Sequence, residues 1–291
     1  MAQTLNETGR LTAVLMKHAR DAFISQETID AQWQALNFTA PPDFSRAVDD
    51  FDAFSDVITR SGARISFLPR EDRLNLDSIY TRDASVISEG GVISCSMGKP
   101  QRRGEPAVQE QELLGMSWPI AGRIESPGLL EGGDLIWLDS RTVAVGQGLR
   151  TNAEGIRQLK ALLGESIDEL HVVPLPDWRG PQDVMHLMSL VSPVDVDLAV
   201  VYTKLLPPAF GRLLQERGYR LVDVPEEEFE SMGTNVLALA PRVGVMVKGN
   251  PRTRAALERS GAVVHEYDGG EISLKGGGGP TCLTRPLART A

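Results

Sequence analysis

The sequence NVLALAPRVGVMVK occupies residues 235–248. Two short apolar runs rich in β-strand formers predict a pair of buried strands. An amphipathic helix is predicted at Pro251–Arg259, and a further strand at Ala262–Tyr267. Two strands, a helix and a third strand therefore form one structural unit.

The same unit recurs along the chain with a period of roughly fifty residues. Further strand pairs are predicted at Ala84–Met97, Asp134–Gly146 and Leu187–Tyr202. These pairs are followed by predicted helices at Ala107–Leu114, Asn152–Leu163 and Pro208–Arg217. The second and third of these helices are followed by predicted strands at His171–Val173 and Tyr219–Val224.

The N-terminal region supplies most of a fifth unit. It carries a predicted strand at Thr12–Met16, a helix at Asp43–Thr59 and a strand at Arg64–Leu68. If the segment after Cys282 pairs with Thr12–Met16, the fifth strand pair is complete. Because one such unit cannot bury its apolar face alone, the repeat predicts a closed, propeller-like α/β array. No linker or charge block interrupts it, so residues 1–291 are predicted to form a single domain.

Composition limits the classes of function. The net charge of −9 argues against nucleic acid and anionic membranes as partners, and is compatible with a cationic small molecule. Two cysteines cannot form a disulfide framework, which indicates a reducing, cytoplasmic setting. The first residues lack the pattern of a secretory signal, and no apolar run is long enough to span a membrane. Four histidines and two cysteines without clustered spacing predict no metal site, and the sequence suggests no cofactor.

Cys282 follows the run Gly276-Gly277-Gly278-Gly279-Pro280-Thr281. Consecutive glycines allow backbone conformations with positive φ and close approach by other groups. A thiol at the end of such a loop is a candidate nucleophile. The alternative is a small buried apolar residue, because free cysteines are often buried.

Four reactive residues stand at equivalent places, each just before a strand pair: Asp83, Glu131, His186 and Cys282. Taken singly, each acid could belong to a turn or a surface ion pair, and the histidine could be structural. In a propeller-like array, however, equivalent loops converge on the central axis. Their repetition therefore predicts one site built from four modules.

Charged residues nearby suggest what such a site binds. Asp77 and Asp83 could pair with a planar guanidinium. Arg102 and Arg150 could bind an anion, and Arg150 precedes a predicted helix, whose N-terminus favours negative charge. Solvent-exposed arginines are the alternative. Together the two pairs describe a site for a small zwitterion with a guanidinium at one end and a carboxylate at the other.

Six segments in order resemble the dimethylarginine dimethylaminohydrolases, which belong to the guanidine-modifying (pentein, or amidinotransferase) superfamily. They are DSIYTRD, QRRGE, LEGGD, RTNAEGIRQL, HLMS and GGGGPTC, and they span Asp77 to Cys282. The resemblance implies a pentein fold, in which five ββαβ modules surround a pseudo-fivefold axis.

The resemblance also implies a catalytic mechanism. Cys282 would be the nucleophile, His186 the general acid and base, and Glu131 the residue that orients His186. The thiolate would attack the guanidinium carbon and form a covalent thiouronium, which water would hydrolyse to a ureido product such as citrulline. No metal or organic cofactor is implied.

Substrate contacts are implied in the same way. Asp83 would hold the guanidinium, and Asp77 the amino-acid or guanidinium nitrogens. Arg102 and Arg150 would bind the substrate carboxylate. The loop around Lys17–Glu27 would cover the site as a lid, and homodimerisation is compatible with the pattern.

Three departures bear on the substrate. Arginine deiminases usually carry an aspartate two residues after the histidine, where this chain has Met188. An apolar side chain there predicts room for N-methyl groups. Against a dimethylarginine hydrolase, Arg82 replaces an acid common in that group, and GGGG replaces a DGG-like run.

Other functions remain open at this point. An arginine deiminase or dihydrolase would act on the unmethylated guanidinium, and an amidinotransferase would use an amine in place of water. A non-catalytic protein of this fold would bind guanidines without turnover. A cysteine peptidase would need an extended cleft, for which the sequence has no local signature.

Overall fold

The computed structural model describes residues 5–178, 180 and 185–290. Its strands form five sheets of three strands each. The strands are β1 (Arg10–Met16), β2 (Arg64–Phe67), β3 (Ser85–Ser88), β4 (Gly91–Ser94), β5 (Ile120–Arg123), β6 (Leu135–Trp137), β7 (Thr142–Gln147), β8 (Glu169–Pro174), β9 (Val191–Asp195), β10 (Leu198–Val201), β11 (Arg220–Asp223), β12 (Val236–Ala240), β13 (Val243–Val247), β14 (Val263–Tyr267) and β15 (Arg285–Thr290).

Helices connect or flank these strands. The α-helices are α1 (Ala19–Phe23), α2 (Gln26–Gln32), α3 (Phe44–Arg60), α4 (Glu105–Gly115), α5 (Ala153–Leu163), α6 (Pro208–Glu216), α7 (Glu226–Phe229) and α8 (Pro251–Arg259). Short 3₁₀ turns lie at Leu76–Ile79, Pro100–Arg102, Gly132–Asp134, Gly164–Ser166 and Leu187–Ser189, and a π-helical turn lies at Gly270–Leu274.

Every sheet has the same internal order. The middle strand pairs antiparallel with the strand before it in the module and parallel with the strand after it. The parallel strand is reached through a helix, as parallel connections require. In the fourth sheet along the chain, for example, β9 and β10 form the antiparallel pair, and α6 leads to β11. The predicted ββαβ module is confirmed.

The fifth module closes the ring. Strand β15 pairs antiparallel with β1, and β1 pairs parallel with β2 after α3. The segment after Cys282 therefore supplies the missing strand, as predicted. Adjacent modules also contact through their first strands: Val236 N–H donates to Ser192 Oγ at 3.2 Å, and Arg289 Nη1 donates to the Ala238 carbonyl at 2.9 Å. The first strands therefore face the axis, and the helices lie outside.

The local sequence explains several helix ends. Asp43 accepts a hydrogen bond from Arg46 N–H at the start of α3, and Asn152 accepts one from Gly155 N–H at the start of α5. Such caps satisfy the free amides of the first turn. The predicted helices therefore begin within two residues of the observed ones.

Some elements differ from the prediction. Leu187–Ser189 forms a 3₁₀ turn before β9 rather than the start of a strand. Strand β5 was not predicted, because its sequence IAGR contains only two apolar residues beside a glycine. In the part of the chain that the structure describes, no helix has the length and apolar character needed to cross a membrane.

Candidate active site

A cavity of about 490 Å³ opens at one end of the axis. That volume suits a small-molecule ligand. Its wall is built from loops that precede the first strands of the modules and from segments that follow second strands, and the latter carry Arg102 and Arg150. Six of the seven predicted site residues line it, namely Asp77, Asp83, Arg102, Arg150, His186 and Cys282. The seventh, Glu131, lies behind His186 and is fully buried.

The glycine run shapes the loop that carries Cys282. Gly277 has φ of +79°, a conformation that other residues adopt only with strain. A Cβ on Gly276 or Gly278 would overlap the side chain of Tyr80. Glycine is therefore required for close approach, as predicted, but the approaching group is one of the protein's own side chains.

Asn235 fixes the end of this loop. Its Oδ1 accepts hydrogen bonds from Thr281 N–H and Thr281 Oγ1, both at 3.0 Å, and its Nδ2 lies 3.8 Å from Cys282 Sγ. Sequence reasoning missed this residue. The signal was present, because Asn235 stands just before β12, the first strand of its module, equivalent to Asp83 and His186 in their modules.

His186 and Glu131 form a hydrogen-bonded pair. His186 Nε2 lies 2.7 Å from Glu131 Oε2, and the imidazole is 14% exposed while the carboxylate is inaccessible. Glu131 Oε1 also accepts from Gly98 N–H at 2.9 Å and Lys99 N–H at 3.1 Å. Because Nε2 is engaged, Nδ1 is the ring nitrogen left for proton transfer.

Electrostatics in this pair favour the charged forms. Burial alone would lower the pKa of His186, but Asp83, Asp134 and Glu131 outweigh it and raise that pKa above its ordinary value. Burial alone would raise the pKa of Glu131, but the bond to His186 and the charge of Arg150 lower it. Both shifts favour an imidazolium facing a carboxylate at neutral pH.

Asp134 anchors the backbone next to His186. Its Oδ1 accepts from Leu187 N–H at 2.9 Å, and its Oδ2 accepts from Thr151 Oγ1 at 2.6 Å. Burial raises the pKa of Asp134 to about 6. This carboxylate, in the LEGGD segment, was not among the predicted site residues. Its role is to position the His186 loop rather than to face the cavity.

Asp83 is buried in the cavity wall with Arg102. Its Oδ2 lies 2.6 Å from Arg102 Nη1, its Oδ1 accepts from Gly133 N–H at 3.0 Å, and His186 Nδ1 is 3.8 Å from Oδ1. A Cβ on Gly133 would press on both Asp83 and His186. The glycine therefore permits the carboxylate and the imidazole to lie side by side.

Arg102 is more constrained than predicted. It donates to both oxygens of Glu105, at 2.8 and 2.7 Å, to the Tyr80 carbonyl at 2.8 Å, and to Asp83. These four bonds occupy most of the five guanidinium donors. Arg102 is therefore directed at Asp83, Glu105 and the Tyr80 carbonyl, and its predicted contact with a substrate carboxylate stays a prediction.

Asp77 and Arg150 also have partners. Lys99 Nζ lies 2.7 Å from Asp77 Oδ2 and donates to the Leu36 carbonyl at 2.8 Å. Arg150 Nη1 lies 3.1 Å from Glu131 Oε2. The bonds described for Arg150 use only Nη1. Arg150 is therefore better placed than Arg102 to bind a carboxylate. Lys99, in the cavity wall, was missed by sequence reasoning.

Two further expectations need correction. Met188 is buried among apolar side chains, and it lines a small cavity with Arg82 and Thr281 rather than the main one. The main cavity is instead lined on this side by Met185 and Ser189. Met188 cannot be described as an apolar wall against the guanidinium.

The expected lid is also elsewhere. Residues 19–23 form α1, where Ala19 and Phe23 pack into the core. The cavity is lined from the N-terminal region by Leu36, Asn37 and Thr39. A segment further along the chain than Lys17–Glu27 therefore covers this side of the site.

The surroundings of Cys282 raise the pKa of its thiol and so disfavour the thiolate. Burial raises its pKa, and the negative charge of Asp83 raises it further, while Arg82 and a hydrogen bond from Thr281 act in the opposite direction. A cation bound against Asp83 would cancel that carboxylate and favour the thiolate. Cys95, by contrast, is buried and does not line the main cavity.

Asp83, Glu131 and His186 present ligand atoms within 4.8 Å of one another, close enough to hold a metal ion. Their oxygens already accept hydrogen bonds from arginines and backbone amides. The raised pKa of His186 favours the protonated ring, which is not a metal ligand. The cluster is better suited to a guanidinium, which brings its own hydrogen-bond donors.

Five ββαβ modules around one axial cavity define a pentein fold, and solved structures share it. A dimethylarginine dimethylaminohydrolase from Pseudomonas aeruginosa, solved as a cysteine-to-serine mutant with citrulline, matches with a TM-score of 0.78 at 24% identity, covering 97% of this chain and 100% of that one. An amidinotransferase of saxitoxin biosynthesis from Microseira wollei matches with a TM-score of 0.78 at 14% identity, covering 100% and 98%. At these identities the likeness establishes the fold.

Sequence comparison identifies the family. Residues 22–289 match the family model described as N,N dimethylarginine dimethylhydrolase, eukaryotic, and the chain belongs to this family. The N(G),N(G)-dimethylarginine dimethylaminohydrolase of Pseudomonas aeruginosa is 29% identical over 84% of this chain and 89% of that protein. An arginine deiminase of Listeria welshimeri is 28% identical over 72% of this chain and 61% of that protein. The chain is therefore an amidine hydrolase.

Proposed function

We propose that this enzyme hydrolyses N-methylated arginine to citrulline and methylamine or dimethylamine through a covalent adduct on Cys282. The observation that carries the proposal is that Cys282, His186 and Asp83 line one cavity that can hold a small molecule. The family match supports the methylated substrate.

Substrate binding follows from the charges of the wall. The guanidinium lies against Asp83, with Asp77 contributing a second carboxylate. The α-carboxylate pairs with Arg150, while Arg102 stays bonded to Asp83 and Glu105. Because the bound guanidinium offsets the charge of Asp83, its arrival lowers the pKa of the thiol.

In the first step, the Cys282 thiolate attacks the guanidinium carbon, and a C–S bond forms. The C–N bond to the methylated nitrogen then breaks. His186, held as imidazolium by Glu131, donates a proton from Nδ1 to the departing amine. An S-alkylthiouronium and a neutral His186 remain.

In the second step, neutral His186 takes a proton from water as the water oxygen adds to the same carbon. The C–S bond breaks, the thiolate leaves, and the protonated ureido group that forms gives its proton to solvent, from which the released amine takes one up. In sum, a guanidinium and a water molecule yield a ureido group and an alkylammonium ion. The same histidine serves as acid first and base second.

The preference for methylated arginine rests on the apolar part of the wall. Met185, Phe229 and Met232 line the cavity together with the charged groups. A substituted nitrogen brings methyl groups that gain from contact with apolar surface, whereas unmethylated arginine brings further N–H donors that need acceptors. Unmethylated arginine is the second candidate substrate, favoured by the similarity to an arginine deiminase.

The test is incubation with monomethylarginine, dimethylarginine, arginine and agmatine, followed by mass spectrometry of the products. We expect citrulline and a methylated amine, abolished in Cys282→Ser and retained in Cys95→Ser, the matched control at the other cysteine. Strong preference for arginine would replace the methylated substrate. Consumption that depends on an added amine would indicate an amidinotransferase. Failure to consume any of the four would refute the proposal.

A further inference from the structure

Three arginines lie close to the axis on the far side of the Cys282 loop. Arg82, Arg285 and Arg289 are 1%, 5% and 3% exposed. Burying a charge is costly unless it is paired and hydrogen-bonded. A cluster of three buried guanidinium groups therefore needs compensation.

The protein supplies only part of that compensation. Arg82 Nε donates to the Thr281 carbonyl at 3.0 Å, and Arg82 Nη1 lies 3.4 Å from Glu7 Oε2. Arg285 Nη2 donates to the Arg82 carbonyl at 3.0 Å. Arg289 Nη1 donates to two backbone carbonyls, at 2.7 and 2.9 Å.

Several buried donors remain without a hydrogen-bond partner among residues 5–178, 180 and 185–290. They are Arg82 Nη2, Arg285 Nε, Arg289 Nε and Arg289 Nη2. Buried polar groups without a partner are rare in folded proteins, and each calls for a bound water, an ion or a function. Here four such atoms come from three side chains of the same cluster.

Charge points to the kind of ligand. The cluster carries three positive groups, and the carboxylates that act on it are Glu7, which pairs with Arg82, and Asp83, which is itself paired with Arg102. Burial, together with the positive charge of Arg82, lowers the pKa of Arg285 to about 9. Burial likewise lowers the pKa of Arg289 to about 10, with Arg82 again contributing. The site therefore has excess positive charge that an anion would offset.

Space limits the size of that ligand. Arg82, Arg285, Arg289 and Glu7 together line a cavity of about 30 Å³. A second cavity of about 10 Å³ also touches Arg82 and Glu7. A cavity needs about 10–15 Å³ of such volume to hold one water molecule, so this one has room for a halide ion or a pair of water molecules and not for an amino acid.

We propose that Arg82, Arg285 and Arg289 form a binding site for one small monovalent anion of chloride size, separate from the substrate cavity. The anion accepts hydrogen bonds from guanidinium donors that lack other partners and leaves the cluster less positive. The anion site adjoins the loop that carries Cys282, because the backbone N–H of Arg82 donates to the Cys282 carbonyl at 3.1 Å.

A crystal soaked in bromide tests the location. Bromide scatters anomalously and replaces chloride in sites of this kind. We expect an anomalous peak within hydrogen-bonding distance of Arg285 Nε and the Arg289 guanidinium. A cluster that shows only water, or no peak among these side chains, would overturn the proposal.

Thermal unfolding at constant ionic strength tests binding in solution. Replacing a bulky anion such as gluconate with chloride should raise Tm in a saturable manner, as expected for a ligand of the folded state. Arg289→Met should abolish that dependence, whereas Arg212→Met, at an exposed arginine, should retain it. Equal chloride dependence in the two variants would refute the site.

A gain-of-affinity variant keeps the test decisive if Arg289→Met fails to fold. Glu7→Gln removes the competing carboxylate, and the loss of a like charge close to the anion should tighten chloride binding about tenfold or more. Unchanged affinity in Glu7→Gln would contradict the assignment. None of these measurements uses turnover, so their outcome is independent of the proposed hydrolase reaction.

Discussion

Replacing Glu131 with glutamine isolates the charge that holds His186 protonated. Glu131 is inaccessible to solvent, and its four hydrogen-bonding neighbours are His186, Arg150 and the amides of Gly98 and Lys99. Glutamine keeps the shape and can still accept from the two amides through its oxygen. Its NH₂ group then faces His186 Nε2 and stabilises the neutral ring protonated at Nδ1.

The size of the effect follows from the bond that is lost. A hydrogen bond between charged partners contributes about 1.5–3 kcal/mol. Since one pKa unit corresponds to about 1.36 kcal/mol, the pKa of His186 should fall by about 1–2. The pKa of His186 is raised to about 9 in the parent, so in the variant it should lie at about 7–8. Because fewer molecules then carry the proton needed by the departing amine, we expect kcat to fall no more than about twofold at pH 7 but about 5- to 50-fold at pH 9.

The pH dependence has a defined sign. Because the folded pKa of His186 is raised, the stabilisation it gains from the pair is complete below about 6.5 and is lost as pH rises through the folded value. The folded pKa of Glu131 is lowered, so its contribution is lost as pH falls. Glu131→Gln should therefore destabilise the protein more at pH 6 than at pH 10.

The assay is kcat and KM for citrulline release across pH 6 to 10, combined with an NMR titration of His186. The alkaline limb of kcat should move to lower pH in Glu131→Gln. Glu154→Gln is the control, because Glu154 forms a surface ion pair with Arg157. If the alkaline limb and kcat are the same in Glu131→Gln and the parent, the role assigned to Glu131 is wrong.

Three other changes probe the nucleophile loop and its surroundings. Asp83→Asn should lower the pKa of Cys282 and speed its alkylation by iodoacetamide at pH 8 while weakening turnover; slower alkylation would contradict the electrostatic argument. Gly278→Ala should destabilise the fold by about 1–3 kcal/mol, because its Cβ overlaps Tyr80, whereas Gly115→Ala, which meets open space, should not; equal Tm values would count against the packing account. Asn235→Ala should cost about 1–3 kcal/mol in unfolding free energy and reduce kcat, because two donors of Thr281 lose their acceptor; parental kcat would show that the loop does not depend on Asn235.

The fold was predictable because its signal is repeated. Each module carries the same alternation of apolar strands and amphipathic helix, so an error in one element is corrected by the other four. Strand β5 illustrates the limit, since IAGR lacks a strong strand pattern and is held by pairing with β4. Tertiary context, not local preference, makes it a strand.

The position of the site was predictable for the same reason, but hydrogen-bond partners were not. Equivalent loops placed Cys282 and His186 around one cavity. The two hydrogen bonds from Arg102 to Glu105 depend on side-chain geometry. The spacing of residues along the sequence does not encode that geometry. Met188 shows the converse, because a side chain only two residues from His186 lines a different cavity.

The covalent intermediate on Cys282 is the central claim, and rapid acid quenching followed by intact-protein mass spectrometry tests it directly. During turnover, the parent enzyme should carry an adduct on Cys282 that has lost the methylated amine, and dimethylarginine and arginine should give adducts of equal mass. Cys282→Ser should form no adduct and no citrulline. An adduct that retains the methyl groups, or undiminished citrulline release by Cys282→Ser, would contradict the mechanism.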